Sequence, residues 1–429
     1  MSINFRKTLF LACLAVFLTV TPLVILYSQG YRLDWNSPEG RIKLTQTGGL
    51  FFRVSPKQAN IFLDSKLTKT TDFFFDSALI ENLLPGKYDI SIMKEDYHSW
   101  EKSLEVQEKM VTATDNVLLI PDDPKLTILT TNVSNFWLSP DNKSLILQEE
   151  SEENGWSLKL YNLQRKVKSH LIKETDIYSK GADLLSLEFL DDSKKMLLEI
   201  GMKEQVKNFI LEISKTPAIL TETTINEPFL DNILTYKKFD NETYYLDSTG
   251  NLFKSDANLE NETKLSEAPI DVLPETEYEL KKYKDLIFLT ENKKLYLFNQ
   301  DSKIWEKFFE PISDLKLSPD SKKLVYYSNY EIWVLFLENT QTQPLKRAGE
   351  RVLLMRLSEN IRDINWLNSA YLIIATESKI RISEIDERDR INIVDLAQLP
   401  SSSIYFNETD KKLYLLNDNN LYQSKELLP

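Results

Sequence analysis

A strand–turn–strand pattern recurs along most of this chain and constrains its fold more than any other feature of the sequence. In the two clearest copies, which start at Phe136 and Leu315, an apolar run leads into Ser-Pro-Asp, then into lysine and a second apolar run. Other copies, some of them shortened or degenerate, start at Leu187, Leu234, Tyr278, Ile364 and Ile404. Successive copies start about 37 to 51 residues apart, which is the length of a four-stranded propeller blade.

The pattern predicts an all-β domain over residues 125–429, a β-propeller of about seven four-stranded blades, with six or eight blades as alternatives. The last copy ends after its third strand, near residues 420–424, whereas residues 125–131 form an orphan strand ahead of the first hairpin. We therefore predict that Leu126, Ile128 and Thr130 lie beside residues 420–424 and close the ring.

This closure also sets an expectation for shortened chains. A chain that starts near Pro121 should stay soluble without the preceding domain. A chain that starts at Ser134 lacks the closing strand, so we expect it to aggregate or to lose cooperativity.

The Ser-Pro-Asp turns have a structural explanation. Proline fixes φ, and the aspartate side chain accepts hydrogen bonds from backbone amides, so each hairpin sets its own register. We predict this folding role in preference to a ligand-binding role. The hairpins resemble the repeats of WD-type and Tol-type periplasmic propellers, and the resemblance implies the propeller fold without a particular partner.

The N-terminal segment predicts a membrane anchor. Residues 8–27 carry no charge, and about twenty residues of helix span a bilayer core. Arg6 and Lys7 precede the segment, which predicts a cytoplasmic tail over residues 1–7 and an exported remainder. We interpret the segment as an uncleaved, single-pass signal anchor. The alternatives are a buried helix of a soluble protein, a signal peptide cleaved after Gly30 and a lipoprotein anchor at Cys13.

A smaller β domain is predicted between the anchor and the propeller. Residues 28–47 are polar and are predicted to form an irregular spacer. Over residues 48–121, short apolar strands alternate with turns, and Tyr88, Ile90 and Ile92 alternate with polar residues as in a half-buried strand. This pattern predicts a compact β-sandwich over residues 48–121.

The sandwich segment resembles the PEGA domain. Residues 84–90, Leu-Pro-Gly-Lys-Tyr-Asp-Ile, match the family's Leu-x-Pro-Gly-x-Tyr-x-Val/Ile core, and residues 55–59, Ser-Pro-Lys-Gln-Ala, stand where the family has Ser-Pro-Glu-Gly-Ala. Lys94, Tyr97 and Trp100 match a following Lys-x-Gly-Tyr-x-x-Trp segment. The resemblance implies a non-enzymatic module of bacterial and archaeal surface proteins, which are often anchored or fused to other modules.

The sequence departs from the family pattern at three places. Gln58 and Asp96 each replace a family glycine, and residues 70–72 replace a family Thr-Pro. Glutamine adopts a positive φ at a higher cost than glycine does. The replacement at Gln58 therefore affects the turn at residues 55–59, after which the family is named.

Composition excludes several classes of function. The net charge of −13 disfavours nucleic acid as a partner, and it disfavours a broad contact with anionic lipid. Cys13 is the only cysteine, and His98 and His170 are the only histidines, so disulfides, zinc sites and triads with a histidine base are nearly excluded. We assign no catalytic, cofactor-binding or metal-binding residue, and no cofactor.

Acidic neighbours could suggest a glycosidase, but adjacent residues of a strand point to opposite faces. We predict that the pairs Glu149-Glu150 and Asp191-Asp192 lie in solvated turns. We also predict that residues 417–420 form a hairpin loop.

Together these observations predict a membrane-anchored protein of the bacterial cell envelope, with a non-catalytic ectodomain that binds an envelope protein or a cell-wall polysaccharide. Tyr88, Tyr97 and Trp100 are predicted to fill the sandwich core, with an aromatic platform for sugar or peptide as the alternative. A propeller enzyme, with carboxylates of raised pKa in the central channel, is the second hypothesis. A sensor that signals through a partner helix is the third. The sequence makes no prediction of the oligomeric state.

Overall fold

The computed structural model describes residues 3–34, 42–72, 74–151, 155–178, 181–190, 193–203, 205–223, 232–239, 241–256, 261–400 and 403–428. The chain begins with helix α1 (Ile3–Ser28), which contains Pro22 and exposes its apolar side chains. Its segment Lys7–Ser28 has a mean hydropathy of 2.7. By length and composition, this helix is able to cross a membrane.

A two-stranded hairpin follows the helix, where an irregular spacer was predicted. Strands β1 (Tyr31–Asp34) and β2 (Lys43–Gln46) pair in antiparallel fashion. Thr47 closes the hairpin because both its backbone N–H and its hydroxyl donate to the Gly30 carbonyl, at 2.9 and 2.8 Å. The prediction was wrong for the described part of this segment, since Tyr-Arg-Leu and Lys-Leu-Thr are short runs that pair only with each other.

Two facing sheets follow the hairpin. One has the order β5-β4-β7-β8, and the other has the order β6-β3-β9, in which β3 and β9 run parallel. Their bounds are β3 (Gly48–Ser55), β4 (Asn60–Leu63), β5 (Lys66–Thr70), β6 (Ser77–Leu83), β7 (Gly86–Met93), β8 (Trp100–Val106) and β9 (Val111–Leu118). Alternate apolar residues of both sheets, such as Phe52, Ile92 and Leu104, form one buried core.

Both non-glycine substitutions in the PEGA-like segment adopt the backbone conformation that glycine favours. Gln58 has a φ of 60° and Asp96 has a φ of 65°. These are the two positions at which the family pattern has glycine. Both residues therefore adopt the left-handed conformation, at a cost in backbone strain that glycine would avoid.

Among the described residues that follow the sandwich, the strands are β10 (Thr127–Thr131) and those of seven successive sheets. Strands of the first three sheets are β11 (Val133–Leu138), β12 (Ser144–Ser151), β13 (Gly155–Asn162), β14 (Val167–Lys173); β15 (Ala182–Phe189), β16 (Lys195–Met202), β17 (Gln205–Glu212), β18 (Ile219–Thr223); β19 (Ile233–Phe239), β20 (Glu242–Asp247), β21 (Leu252–Asp256) and β22 (Thr263–Lys264). A 3₁₀ helix spans Glu174–Asp176.

The remaining sheets continue the same antiparallel plan. Their strands are β23 (Tyr278–Tyr283), β24 (Leu286–Glu291), β25 (Lys294–Asn299), β26 (Ile304–Phe309); β27 (Asp314–Leu317), β28 (Lys323–Tyr327), β29 (Glu331–Phe336), β30 (Arg351–Arg356); β31 (Ile361–Asn368), β32 (Tyr371–Thr376), β33 (Ile380–Glu384), β34 (Ile393–Ala397); and β35 (Ser403–Asn407), β36 (Lys412–Asn417), β37 (Asn420–Glu426). Hydrophobic clusters lie between successive sheets, and one cluster, with Val133 and Tyr414, joins the first sheet to the last.

Strand β10 completes the last sheet, which has the order β10-β37-β36-β35. Ile128 lies opposite Tyr422, and Thr130 lies opposite Leu421. The predicted closure by the orphan strand is thus confirmed. Closure removes the open edge that β37 would otherwise present, and it makes these sheets a β-propeller.

Candidate binding surface and the joint that holds it

The Ser-Pro-Asp turns join the first two strands of their sheets, and the predicted folding role is confirmed. In the first sheet, the Ser139 hydroxyl donates to Asp141 Oδ1 at 2.6 Å, and the same oxygen accepts the backbone N–H of Lys143 at 3.1 Å. The fifth sheet repeats this arrangement with Ser318, Asp320 and Lys322 at 2.6 and 3.1 Å. Local hydrogen bonds therefore fix the turns of both hairpins.

The same turns also connect neighbouring sheets. The Asp141 amide donates to Ser193 Oγ of the second sheet at 3.0 Å. The Asp320 amide donates to Ser369 Oγ of the sixth sheet at 3.2 Å. The side-chain amide of Asn407 in the last sheet donates to the Asn142 carbonyl at 3.0 Å. We call this side of the ring the Ser-Pro-Asp face.

A cavity of about 440 Å³ opens on the Ser-Pro-Asp face, where the first strands of the sheets converge. Four sheets contribute to it, the first, fifth, sixth and seventh, through the residues Pro140, Asn142, Lys316, Leu317, Pro319, Asn365, Trp366, Tyr405, Phe406 and Glu408. Tyr405 is 39% exposed and Trp366 is 4% exposed. The accessible aromatic surface of this channel mouth therefore belongs to Tyr405.

Carboxylates of the innermost strands are paired with lysines of neighbouring strands. Asp314 contacts Lys281 at 2.8 Å, and Asp363 contacts Lys316 at 2.5 Å. Among the described carboxyl groups whose pKa departs from the ordinary value, every one has a lowered pKa, because hydrogen bonds and nearby cations outweigh the effect of burial. A general acid needs the opposite shift.

The sandwich docks against the propeller through a buried ion pair. Lys102 Nζ lies 2.7 Å from Glu384 Oε1, and the two side chains are 0% and 4% exposed. The Trp100 indole N–H donates to the other oxygen of Glu384 at 2.8 Å. Asn392 donates to Glu384 from its backbone and side-chain nitrogens, at 2.9 and 2.8 Å. The carboxylate is therefore fully hydrogen-bonded, as a buried charge must be.

Propeller side chains also cap the free edges of β8 and β9. On β8, the amides of Glu101 and Ser103 donate to Asn392 Oδ1 and Asp389 Oδ2, at 3.0 and 2.9 Å. On β9, Gln343 accepts the Ala113 amide at 3.0 Å and donates to the Val111 carbonyl at 3.3 Å, as a paired strand would.

Arg388 extends the capping of β9. Its guanidinium donates to the Ala113 carbonyl at 2.9 Å and to the Thr114 hydroxyl at 3.1 Å. The capping residues lie on the connections β29–β30 and β33–β34. Because these connections join the third and fourth strands of their sheets, they emerge on the Ser-Pro-Asp face, so the sandwich is held beside the channel mouth.

The segment between the domains is bonded to both of them. The Leu119 amide donates to the Ser55 carbonyl of the sandwich at 2.8 Å, and the Lys425 amide of the last sheet donates to the Pro124 carbonyl at 2.9 Å. Leu118 and Ile120 pack inside the propeller. A chain starting at Pro121 would lose these two apolar residues from the hydrophobic cluster of the last two sheets. We therefore now expect such a chain to be destabilised, in contrast to the expectation from the sequence.

The three aromatic residues singled out in the sequence have different environments in the structure. Trp100 is 2% exposed and seals the joint, so it offers no platform to a sugar. Tyr88 and Tyr97 are partly buried against the sandwich core, and the Tyr88 hydroxyl donates to the Leu84 carbonyl at 2.9 Å. No sequence pattern pointed to Glu384 or Tyr405, because a single acid or tyrosine in a strand is ordinary.

The predictions for the adjacent acidic residues and for residues 417–420 have different outcomes. Glu149 and Glu150 both lie in β12, so the predicted turn was wrong for this pair; Glu149 is nearly buried and Glu150 is exposed. Burial raises the pKa of Glu149, but hydrogen bonds from Lys159 and Lys168 outweigh it and hold the pKa below its ordinary value. Asp191 and Asp192 lie outside the described residues. Residues 417–420 form the tight connection between β36 and β37, as predicted.

No family model and no curated protein matches the sequence. Solved structures match the fold at low identity. YCF48 from Cyanidioschyzon merolae has 10% identity and a TM-score of 0.46, and the match covers 70% of this chain and 98% of that one. YCF48 bound to D1 peptide has 11% identity and a TM-score of 0.44, over 70% and 94% of the chains.

The Cps50 (Swd1) β-propeller domain of Myceliophteria thermophila has 10% identity and a TM-score of 0.44, over 69% of this chain and 99% of that one. All three are similar to this chain in fold alone. The propeller itself is established by the sheet order and by the closing strand.

Proposed function

We propose that this chain is a membrane-anchored, non-catalytic binding protein of the bacterial cell envelope. In this proposal residues 8–27 anchor it, residues 1–7 remain in the cytoplasm, and a PEGA-like sandwich over residues 48–121 carries a seven-bladed propeller outside the membrane. The positive φ at Gln58 and Asp96, where the family has glycine, supports the PEGA-like assignment.

The observation that carries the binding role is the channel mouth. It is a cavity of about 440 Å³ lined by first strands and turns of four sheets, and it displays one accessible aromatic ring, Tyr405. Its volume lies in the range of ligand-binding pockets, and it accommodates a side chain of a protein partner. We propose an envelope protein as the partner. The pairing of Asp314 and Asp363 with lysines is our reason for preferring binding over hydrolysis.

Site-specific photo-crosslinking tests the binding role. A photoreactive phenylalanine is placed at Tyr405 of the full-length protein, in the cells that produce it. The matched control places the same residue at Tyr330, which is 51% exposed on the connection between β28 and β29 and therefore on the opposite face. We expect a discrete crosslinked protein from position 405 and none from position 330. Equal yields from both positions, or none from either, would contradict the proposal.

Cysteine labelling tests the topology. The exposed residue Thr68 is changed to cysteine in a chain that carries Cys13→Ala, and intact cells are treated with a membrane-impermeant maleimide. We expect labelling without lysis, because residue 68 lies outside the membrane in the proposed topology. Labelling that requires lysis would place the ectodomain in the cytoplasm and reverse the proposed orientation.

A further inference from the structure

The charges at the channel mouth do not balance. The cation of the cavity, Lys316, is neutralised by Asp363 at 2.5 Å, and Asp363 also accepts the Ile404 amide at 3.2 Å. Glu408 is exposed in the turn after β35, and it has no cation within ion-pair distance among the described residues. The mouth therefore presents one uncompensated negative charge.

Two more polar groups of the cavity are available to a ligand. Within the described part of the chain, the Tyr405 hydroxyl and the Asn142 side-chain amide make no hydrogen bond. Burial, together with the negative charge of Glu408, raises the pKa of Tyr405. The phenol and the carboxylate thus share one electrostatic environment, and the phenol stays protonated at neutral pH.

An aromatic ring beside a carboxylate is the arrangement that binds a cationic side chain. The carboxylate supplies a charge-assisted hydrogen bond, and the ring face attracts an ammonium or guanidinium group. The amide oxygen of Asn142 provides a further acceptor. The net charge of −13 favours the approach of basic partners over acidic ones.

We infer that the channel mouth recognises a lysine or arginine side chain of the polypeptide that binds there, through Glu408, Tyr405 and Asn142. This inference rests on the proposed function and names the chemistry of the partner. A glycan would engage the same tyrosine by stacking, but it would not need the charge of Glu408.

The test uses the full-length protein in lipid nanodiscs and two immobilised, blocked peptides. One is acetyl-Gly-Ser-Lys-Ser-Gly-amide, and in the other norleucine replaces lysine, which removes the charge and keeps the apolar stem. Biolayer interferometry compares the unchanged protein with Glu408→Gln and with the matched control Glu108→Gln, an exposed glutamate of the connection between β8 and β9.

We expect the unchanged protein and E108Q to retain the lysine peptide at least about fivefold better than the norleucine peptide, and E408Q to lose this preference. Equal retention of both peptides by the unchanged protein, including none, would overturn the inference. In that case, a protein crosslinked from position 405 would still support the proposed function. The absence of such a crosslink would contradict the proposed function as well as the inference. Retention of wall oligosaccharides that is unaffected by E408Q would identify a glycan site and would also overturn the inference.

Discussion

The sandwich has edge strands on two sides, β8 and β9 on one and β5 and β6 on the other, and the two sides differ in how their edges are protected. On the β8/β9 side, side chains from the propeller satisfy the strand edges, and Trp100 and Lys102 are buried. On the β5/β6 side, every residue of β5 is exposed, and Phe74 and Phe75 are 76% and 68% exposed. The difference shows that the propeller does for one side what a partner chain does in an interface between proteins.

The exposed side is protected by other means. The pairing of β4 with β5 is interrupted by a bulge, and β5 carries Lys66 and Lys69, both of which discourage another strand from adding to this edge. The two sides of one small domain therefore use different solutions to the same problem. Propeller side chains cover the β8/β9 edge, whereas a bulge and two lysines disfavour the addition of another strand at β5.

Loss of the ion pair between Lys102 and Glu384 should have the largest effect, and it tests whether the covered side depends on this pair. In Lys102→Met, Glu384 remains buried without a cation, which we expect to cost about 3–5 kcal/mol of unfolding free energy. Urea denaturation of the full-length protein measures this. Lys66→Ala, on the exposed edge, is the control and should change stability by less than about 0.5 kcal/mol. The double variant K102M/E384Q should recover part of the loss. Equal stability of K102M and K66A would mean that the pair does not hold the joint.

The next effect concerns the capping of β9. Gln343→Ala removes both hydrogen bonds to β9 and one from Arg388, and it leaves the Ala113 amide without its partner, so we expect a loss of about 1–3 kcal/mol. Light scattering should also show more self-association, because the edge becomes available. Gln107→Ala, an exposed residue of the connection between β8 and β9, is the control. No difference between Q343A and Q107A would show that this edge needs no cap.

Acid should weaken the covered side. Burial raises the pKa of Asp386, but hydrogen bonds from Arg388 and the charge of Lys102 outweigh it, so the pKa lies below its ordinary value. A lowered folded-state pKa adds stability that is present above the unfolded value of about 3.9 and is lost as the pH falls through the folded value. Asp386→Asn should therefore cost stability at pH 7, and this cost should shrink below about pH 4. A cost that stays constant between neutral and acid pH would contradict this assignment.

Relief of backbone strain at Gln58 and Asp96 should have a smaller effect, which is stabilising. Gln58 lies in the turn next to the exposed loop, and Asp96 lies in the turn that contacts the interdomain segment. Replacing Gln58 with glycine relieves a left-handed conformation and should stabilise the protein by about 0.5–1 kcal/mol. Asp96→Gly should gain less, because aspartate tolerates this conformation better. Thermal denaturation measures both, and destabilisation by Q58G would contradict the strain argument.

The smallest expected effect is on the exposed side. Phe74→Ser and Phe75→Ser should each change the unfolding free energy by less than about 0.5 kcal/mol, because both rings already face solvent. Trp100→Ser, on the covered side, is the contrasting control and should be strongly destabilising. A large loss in F74S or F75S would show that these rings belong to the core, and the two sides would then differ less than described.

The propeller could be predicted from sequence because its information is local. Each hairpin carries its own turn chemistry, and counting strands identified residues 125–131 as the closing strand. The joint could not be predicted, because Trp100 and Glu384 are 284 residues apart and neither stands out in its own segment. From the sequence, Trp100 was predicted to fill the sandwich core, with no indication of its partner in the propeller. The site at Tyr405 and Glu408 was missed for the same reason, since four separate sheets assemble the cavity.

The closing strand has a consequence for how the protein is made. Thr127 meets Gln423 across the last sheet, 296 residues later in the chain, so β10 emerges during synthesis long before its partner exists. Successive hairpins are able to form as they appear, but ring closure is a late, long-range event of the kind that slows folding. The segment ahead of β10 is fixed to the sandwich through Leu119 and Ser55, so a finished sandwich keeps the waiting strand in place. A ribosome that stalls before residue 420 therefore leaves an open ring.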